Sequence, residues 1–316
     1  MRSTRSLWAI LLAGGEGTRL RGEVIAGERV DRPKQFLHLG QGISLLGATL
    51  ERALRLVPAA NVVPIVSTTH RSWWTPELGL VPAENVLAQP LNRGTAVAVL
   101  LGLIHILRRD DDPTIFVLPC DHGVAEERPL VEATRSAAAL AGGMRGDLVL
   151  LGVQPTHPEI QYGWILPEDG VAGSSRAVRS FVEKPSYETA SALMNQGALW
   201  NTLIFAASGS ALLEAYRRVV PDVLHSCLGA TANAESAGEA CVEFFRDAPT
   251  LDFGRDVLQR APTGLRVISV PECGWTDLGT PARVAAWLDR KQHGPNQGLA
   301  LARARGGEIA AAGGRR

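Results

Sequence analysis

Residues 11–20 read LLAGGEGTRL, and residues 32–37 read RPKQFL. An apolar run ends in Gly14, Gly15 and Gly17, followed by Thr18, Arg19 and, behind Pro33, Lys34. A strand that gives way to such a turn leaves backbone N–H groups converging beyond its last residues, Leu12 and Ala13, with no Cβ in the way. That is a nest for phosphate oxygens. Thr18 adds a hydroxyl donor, and Arg19 can fork onto phosphate oxygens. The loop lacks both the GxxxxGK[ST] of a P-loop and the GxGxxG of a dinucleotide fold. Farther on, Asp121 follows the apolar run TIFVLP, residues 114–119. A carboxylate at a strand end faces the crevice where ligands of open α/β sheets bind. As a hard oxygen ligand it suits Mg²⁺, which takes one or two protein carboxylates and completes its shell with substrate phosphates.

Rigid elements must hold these residues. The runs 7–13, 61–67, 114–119 and 147–153 are continuously apolar, as strands covered on both faces are. Helical patterns at 44–57, 94–109 and 128–141 lie between them; in the first, Leu46, Leu50, Ala53, Leu54 and Val57 share a face. This alternation predicts an α/β fold with an open, doubly wound, mixed and mostly parallel sheet. Beyond about residue 155 the order loosens, with strands expected at 161–166, 176–183, 199–206 and 265–270 and helices at 186–196 and 208–219. No strong linker divides the chain. One domain over 1–290 is expected, with a nucleotide half at about 7–155 and a substrate lobe at about 156–290. Residues 291–316 read as a disordered tail, Ala/Gly/Arg-rich from 298. The apolar face of VAAWL, 284–288, has two readings: a subunit contact, hence a homodimer, or a contact with the chain's own core.

The chain has 316 residues, 46% of them hydrophobic, enough for one large core. Its 32 Lys and Arg balance 32 Asp and Glu, so there is no broad basic field for tracking nucleic acid. The four cysteines form no CxxC pair and have no His at zinc-finger spacing, so a reduced, cytoplasmic protein is expected. Arg2 and Arg5 before LWAILLA have the look of a leader peptide, but the run is short and meets GGEGTR instead of a cleavage site. It reads as a first strand. No run reaches the ~18 residues of a membrane span.

The pair LAGGEGTRL and RPKQFL resembles the signature of sugar-1-phosphate nucleotidyltransferases, a Rossmann-like family akin to the GT-A fold. It is most similar to the mannose-1-phosphate guanylyltransferases. Five further segments extend the resemblance in order: QPLNRGTA (89–96), LPCDH (118–122), GVQPTHPEIQYG (152–163), FVEKP (181–185) and WNTLIF (200–205), and GWTDLG (274–279) closes it. Arg93, Gly94 and Thr95 open a predicted helix, so their N–H groups point at whatever lies in front of it. The resemblance implies that this segment and Gln89 lie against base and ribose. Gln89 stands where the family usually has an acid, and Gly94 where it has Asn. In WNTLIF, Thr202-Leu203 replaces Ser-Gly, so close backbone approach is not expected at Leu203. His122 and His157 read as structural, and Cys120 as core packing.

The resemblance implies that Arg19 and Lys34 are catalytic and that the glycine loop binds the nucleotide. It makes Asp121 and Asp277 the ligands of Mg²⁺ (or Mn²⁺). It gives Tyr162, Gly163, Glu183, Lys184 and Asn201 to the sugar phosphate. The expected reaction joins a nucleoside triphosphate, GTP first, to a sugar 1-phosphate, mannose 1-phosphate first, and releases pyrophosphate. Its partners would be small molecules, with no nucleic acid and no membrane. Glucose 1-phosphate or a heptose phosphate, another base, or a non-catalytic nucleotide-sugar-binding relative remain as alternatives.

Overall fold

The structure is a computed structural model, and the residues it describes are 5–25, 28–40, 42–143, 147–170, 175–233, 237–261 and 264–293. The strands are β1 (Leu7–Ala13), β2 (Val24–Ile25), β3 (Glu28–Arg29), β4 (Val62–Ser67), β5 (Leu87–Gln89), β6 (Thr114–Pro119), β7 (Leu148–Val153), β8 (Gly163–Pro167), β9 (Arg176–Glu183), β10 (Leu199–Ser208) and β11 (Leu265–Ser269). The helices are α1 (Leu45–Leu54), α2 (Arg71–Trp74), α3 (Gly94–Leu107), α4 (Glu127–Gly143), α5 (Tyr187–Asn195), α6 (Gly209–Val219), α7 (Pro221–Asn233), α8 (Ala237–Asp247) and α9 (Pro281–His293). A π-helical turn covers Phe253–Leu258.

Nine strands form one mixed sheet in the order β5-β4-β1-β6-β10-β7-β11-β9-β8, and β2 and β3 form a separate hairpin. Along β1 the side chains alternate between two cores: Trp8 and Ile10 enter one, Ala9, Leu11 and Ala13 the other. Residues of α3, α6, α7 and α8 cover the first face, and residues of α1, α2, α4 and α5 the second. That double cover is why the strands read as continuous apolar runs. Ser44, Ser186 and Ser208 accept N–H bonds at the starts of α1, α5 and α6.

The parallel part is β5-β4-β1-β6 together with the β7–β11 pair. Its register sets the site. Leu12 lies opposite Pro119, Ala13 opposite Val66, and Ser67 opposite Gln89. The glycine loop, Asp121 and Gln89 therefore leave the sheet at one edge, side by side. The second half makes the sheet mixed, as expected: β10 runs antiparallel to β6, β7 and β8, and β9 runs antiparallel to β8 and β11. Strand β9 exposes Ala177 and Arg179, which an antiparallel sheet tolerates.

A third, smaller core joins Leu20, Leu37 and Leu39, beyond the glycine loop in the chain, to Leu278, Val284 and Trp287. Val284 and Trp287 are buried there, so the apolar side of 284–288 packs on the chain's own core, the second of its two readings. The expected tail from 291 starts as helix, because α9 runs to His293; residues 294–316 lie outside the described residues. Among the described residues no helix is long and apolar enough to cross a membrane.

Candidate functional site

A cleft of about 370 Å³ opens at the edge where β1, β5 and β6 end, and β8, β9 and β10 wall its other side. Of the residues singled out in the sequence, it is lined by Leu12, Gly14, Gly15, Gly17, Arg19, Gln89, Gly94, Thr95, Asp121, Tyr162, Gly163, Glu183, Lys184, Asn201 and Asp277. Ala13, Thr18, Lys34 and Arg93 do not line it. Ala13 is buried behind the loop, and its carbonyl accepts from Gln35 Nε2 at 2.9 Å. The same amide donates to Gly15 O at 2.8 Å, so Gln35 fixes the shape of the glycine loop. Thr18 is exposed in a 3-10 turn. Gly14 is needed for close approach: a Cβ there would stand 2.1 Å from Gln89 Nε2.

Lys34 is 4% exposed and sits beneath the cleft floor. Its ammonium is 2.9 Å from Asp121 Oδ2 and donates a short bond to the Asp277 backbone carbonyl. The fold thus sets one cation between the Asp121 carboxylate and the Asp277 backbone, two groups far apart in the chain. Burial raises the Asp121 carboxyl, but Lys34 and His122 outweigh it and hold it below the usual carboxylate value. Asp277 is likewise lowered: burial opposes the change, while Lys34, Tyr162, Arg283 and the Gly279 N–H overcome it. Both acids are held ionised. No group of three or more His, Cys, Asp or Glu suited to a metal occurs among the described residues. Two hard carboxylates in an open cleft fit Mg²⁺ or Mn²⁺, with phosphates and water filling the other positions, and do not fit a closed zinc site.

The helix opening at Gly94 differs from the expectation. Arg93 turns away, its guanidinium donating to the Phe245 and Arg246 carbonyls at 3.3 Å. The Gly94 N–H goes to Asn92 Oδ1 at 3.0 Å and the Ala96 N–H to Leu251 O at 3.1 Å, so neither points into the cleft. Thr95 Oγ1 accepts from the Phe253 N–H at 2.8 Å. Gly94 has φ 83°, and a Cβ would lie 2.2 Å from Leu251 O. An Asn at this position would collide with that carbonyl, which accounts for the glycine. Gln89 is 2% exposed, and its Oε1 has no hydrogen-bond partner.

On the opposite wall Lys184 Nζ donates to Glu183 Oε1 at 2.9 Å and lies 3.7 Å from Asp252 Oδ2. Burial raises the Glu183 carboxyl, and Lys184 only partly offsets it. Desolvation lowers the Lys184 ammonium, but the hydrogen bond to Glu183 wins and its pKa is raised. Lys184, Leu203 and Leu278 have φ of 49°, 57° and 50°. These strained positions flank Glu183, Asn201 and Asp277, where strain of roughly 1–2 kcal/mol each is typical of functional sites. At Leu203 the backbone takes the left-handed shape that glycine favours, and its N–H donates to Asn201 Oδ1 at 3.1 Å.

Sequence reading missed Gln35, Asn92, Gln161, Asp252 and Trp275 as lining residues and Arg283 as a neighbour of Asp277. Gln161 Oε1 accepts from Arg19 at 2.8 Å across the cleft mouth, and Arg19 also lies 3.8 Å from Asp277 Oδ2. Gln35 and Gln161 lay within the quoted motifs; Asp252 and Arg283 carried no motif. Tyr162 serves Asp277, its hydroxyl donating to Oδ1 at 2.8 Å.

The nucleotidyl transferase family model matches residues 8–288. The xanthan biosynthesis protein XanB of Xanthomonas campestris is 34% identical over 284 residues, covering 86% of this chain and 57% of its own. The mannose-1-phosphate guanylyltransferase ManC of Salmonella typhimurium is 32% identical over 292 residues, covering 89% of this chain and 59% of its own. The chain therefore spans less than two thirds of the length of these curated relatives. A crystal structure from Thermus thermophilus, described as a mannose-1-phosphate geranyltransferase, superposes with a TM-score of 0.74 at 32% identity, covering 87% of this chain and 76% of that one. The cleft and these likenesses agree: the chain belongs to the nucleotidyl transferase family.

Proposed function

We propose that the chain transfers a nucleotidyl group from GTP to mannose 1-phosphate, giving GDP-mannose and pyrophosphate. The observation that carries this reading is the Lys34 ammonium held between the Asp121 carboxylate and the Asp277 backbone carbonyl, beneath a cleft lined by a glycine loop on one side and by Glu183, Lys184 and Asn201 on the other. An oxygen of the sugar phosphate attacks the α-phosphorus in line, and the bond to the leaving pyrophosphate breaks. The nucleophile is already an anion at neutral pH, so no general base is needed. Catalysis is positioning and charge neutralisation. The glycine loop cradles the triphosphate, and Arg19 meets the β- and γ-phosphates as negative charge gathers on them. Lys34 acts from beneath, holding Asp121 and Asp277 at one spacing. Glu183 and Asn201 take sugar hydroxyls, and Lys184 the sugar phosphate. Asp121 and Asp277 would hold Mg²⁺, which when bound screens the repulsion between the two substrates.

This reading assigns about 7–155 to the nucleotide and about 156–290 to the sugar phosphate, on an open, doubly wound sheet, in the cytoplasm where triphosphates are held. Residues Gln89, Thr95 and Asn92 would face the base or ribose. The test is pyrophosphate release with Mg²⁺ and mannose 1-phosphate, run separately with GTP, ATP, CTP, UTP and dTTP. Release with GTP alone supports the full reading. Release with another nucleotide keeps the chemistry and moves the base. No release with any sugar phosphate, together with tight binding of a nucleotide sugar, favours a regulatory protein.

A further inference from the structure

Three donors converge on Asp277 Oδ1: the Tyr162 hydroxyl at 2.8 Å, the Gly279 N–H at 2.9 Å and Arg283 NH1 at 2.8 Å. All three meet one oxygen, which turns the other, Oδ2, toward Arg19 and the cleft. Arg283 comes from α9, six positions after Asp277, and its fork divides. NH1 takes Asp277, and NH2 makes a short ion pair with Glu159 in the turn that carries Tyr162. The guanidinium also lies over the Tyr162 ring, 4.9 Å from its centroid. Arg283, Glu159 and Asp277 side chains are 19%, 9% and 13% exposed, so the network is shielded from water. Helix α9 is itself anchored by Val284 and Trp287 on Leu20 and Leu37, which flank Arg19 and Lys34 in the chain.

We propose that Arg283 is a positioning residue: it locks the Asp277 carboxylate so that Oδ2 faces the metal and triphosphate, and it ties that carboxylate to the sugar-side turn. The inference rests on the nucleotidyl-transfer reading above. A planar fork suits the task, because one guanidinium can address two carboxylates in fixed directions, which an ammonium cannot. Glu159 offsets its charge, so Arg283 orients Asp277 without neutralising it toward the cleft. An arginine here could instead act as a mere nearby positive charge. The two roles predict opposite signs. Removing a positive charge tightens the binding of a divalent cation, whereas releasing the carboxylate from its orientation weakens it.

The experiment is Mn²⁺ binding in the presence of GTP, read by the electron-spin resonance of free Mn²⁺, on the full chain and its Arg283→Met, Arg283→Lys and Glu159→Gln variants. Binding is read without turnover, so it stays distinct from the test of the reaction itself. Positioning predicts that Arg283→Met weakens Mn²⁺ about tenfold, the usual size of an outer-shell loss. Arg283→Lys, which keeps charge and loses the fork, stays weak, and Glu159→Gln falls between. In turnover the half-saturating metal concentration rises more than the KM for nucleotide. Tighter or unchanged Mn²⁺ binding in Arg283→Met overturns the proposal, as does wild-type binding in Arg283→Lys. If Arg283→Met does not fold, Arg283→Lys and Glu159→Gln decide by the same criterion.

Discussion

Lys34 Nζ stands 2.9 Å from Asp121 Oδ2 and donates to the backbone carbonyl of Asp277, so one buried cation ties together two segments that lie far apart in the chain. Lys34→Met removes this tie. The turnover number should fall about 100-fold or more, as when a charge-stabilising group is lost. Stability should fall by an amount between the surface and buried limits for a broken pair, about 1 to 3 kcal/mol, because Asp121 keeps 40% exposure. Pyrophosphate release and a thermal melt measure both. The companion change Asp121→Asn should abolish most turnover while Lys34 stays in place; near-normal activity at saturating Mg²⁺ would remove Asp121 from metal binding.

Lys184 is paired to Glu183 and faces Asp252, and its φ of 49° aims it from a strained position. The proposed reaction gives this ammonium the sugar phosphate as its incoming anion. Lys184→Ala should raise the KM for the sugar phosphate at least about tenfold and leave the KM for the nucleotide within about twofold. Equal changes in both constants would place Lys184 outside the sugar-phosphate contacts.

Gly14 and Gln89 are in contact because Gly14 has no Cβ; one would meet Gln89 Nε2 at 2.1 Å. Gly14→Ala must displace the buried Gln89 side chain or the loop, and the KM for nucleotide should rise. In the double variant with Gln89→Ala the space reappears, and the cost of Gly14→Ala should shrink. A double-mutant cycle on the nucleotide KM measures this coupling, expected at about 1–2 kcal/mol. Additive losses would mean that Gly14 matters through phosphate contact alone.

Much of the cleft was legible because its residues sit at strand ends, where short motifs name both the strand and the group it presents. Asp121 after β6 and the glycines after β1 are of this kind. Their alignment at one edge needed the register, which no single motif carries. Lys34 was legible as a cation but not as a buried one, since its partners come from Asp121 and from the 274–279 turn, which arrives from the other end of the chain. Arg283 was invisible for a related reason: an arginine in a helix of mixed charge reads as a solvated face, and only the fold sets it between Asp277 and Glu159. Arg93 failed in the opposite sense, because α8 supplies carbonyls that pull its guanidinium away from the helix start.

His105 supplies a test of stability that does not involve the cleft chemistry. It lies in the last turn of α3, partly buried, with Nε2 3.5 Å from Asn85 Oδ1. Burial, with Arg109 and Arg108 adding to it, lowers its pKa from 6.5 to about 4. The folded chain therefore holds His105 neutral where the unfolded chain protonates it. The stability this gives is fully present above about pH 6.5 and is lost as the pH falls from there toward 4, reaching at most about 3 kcal/mol. Urea unfolding of the wild type between pH 7 and 4.5 should show stability declining with an extra slope of up to about 1.4 kcal/mol per pH unit relative to His105→Gln. Parallel curves for the two proteins would mean that His105 charges as readily in the fold as outside it, and that the end of α3 opens to water to let it do so.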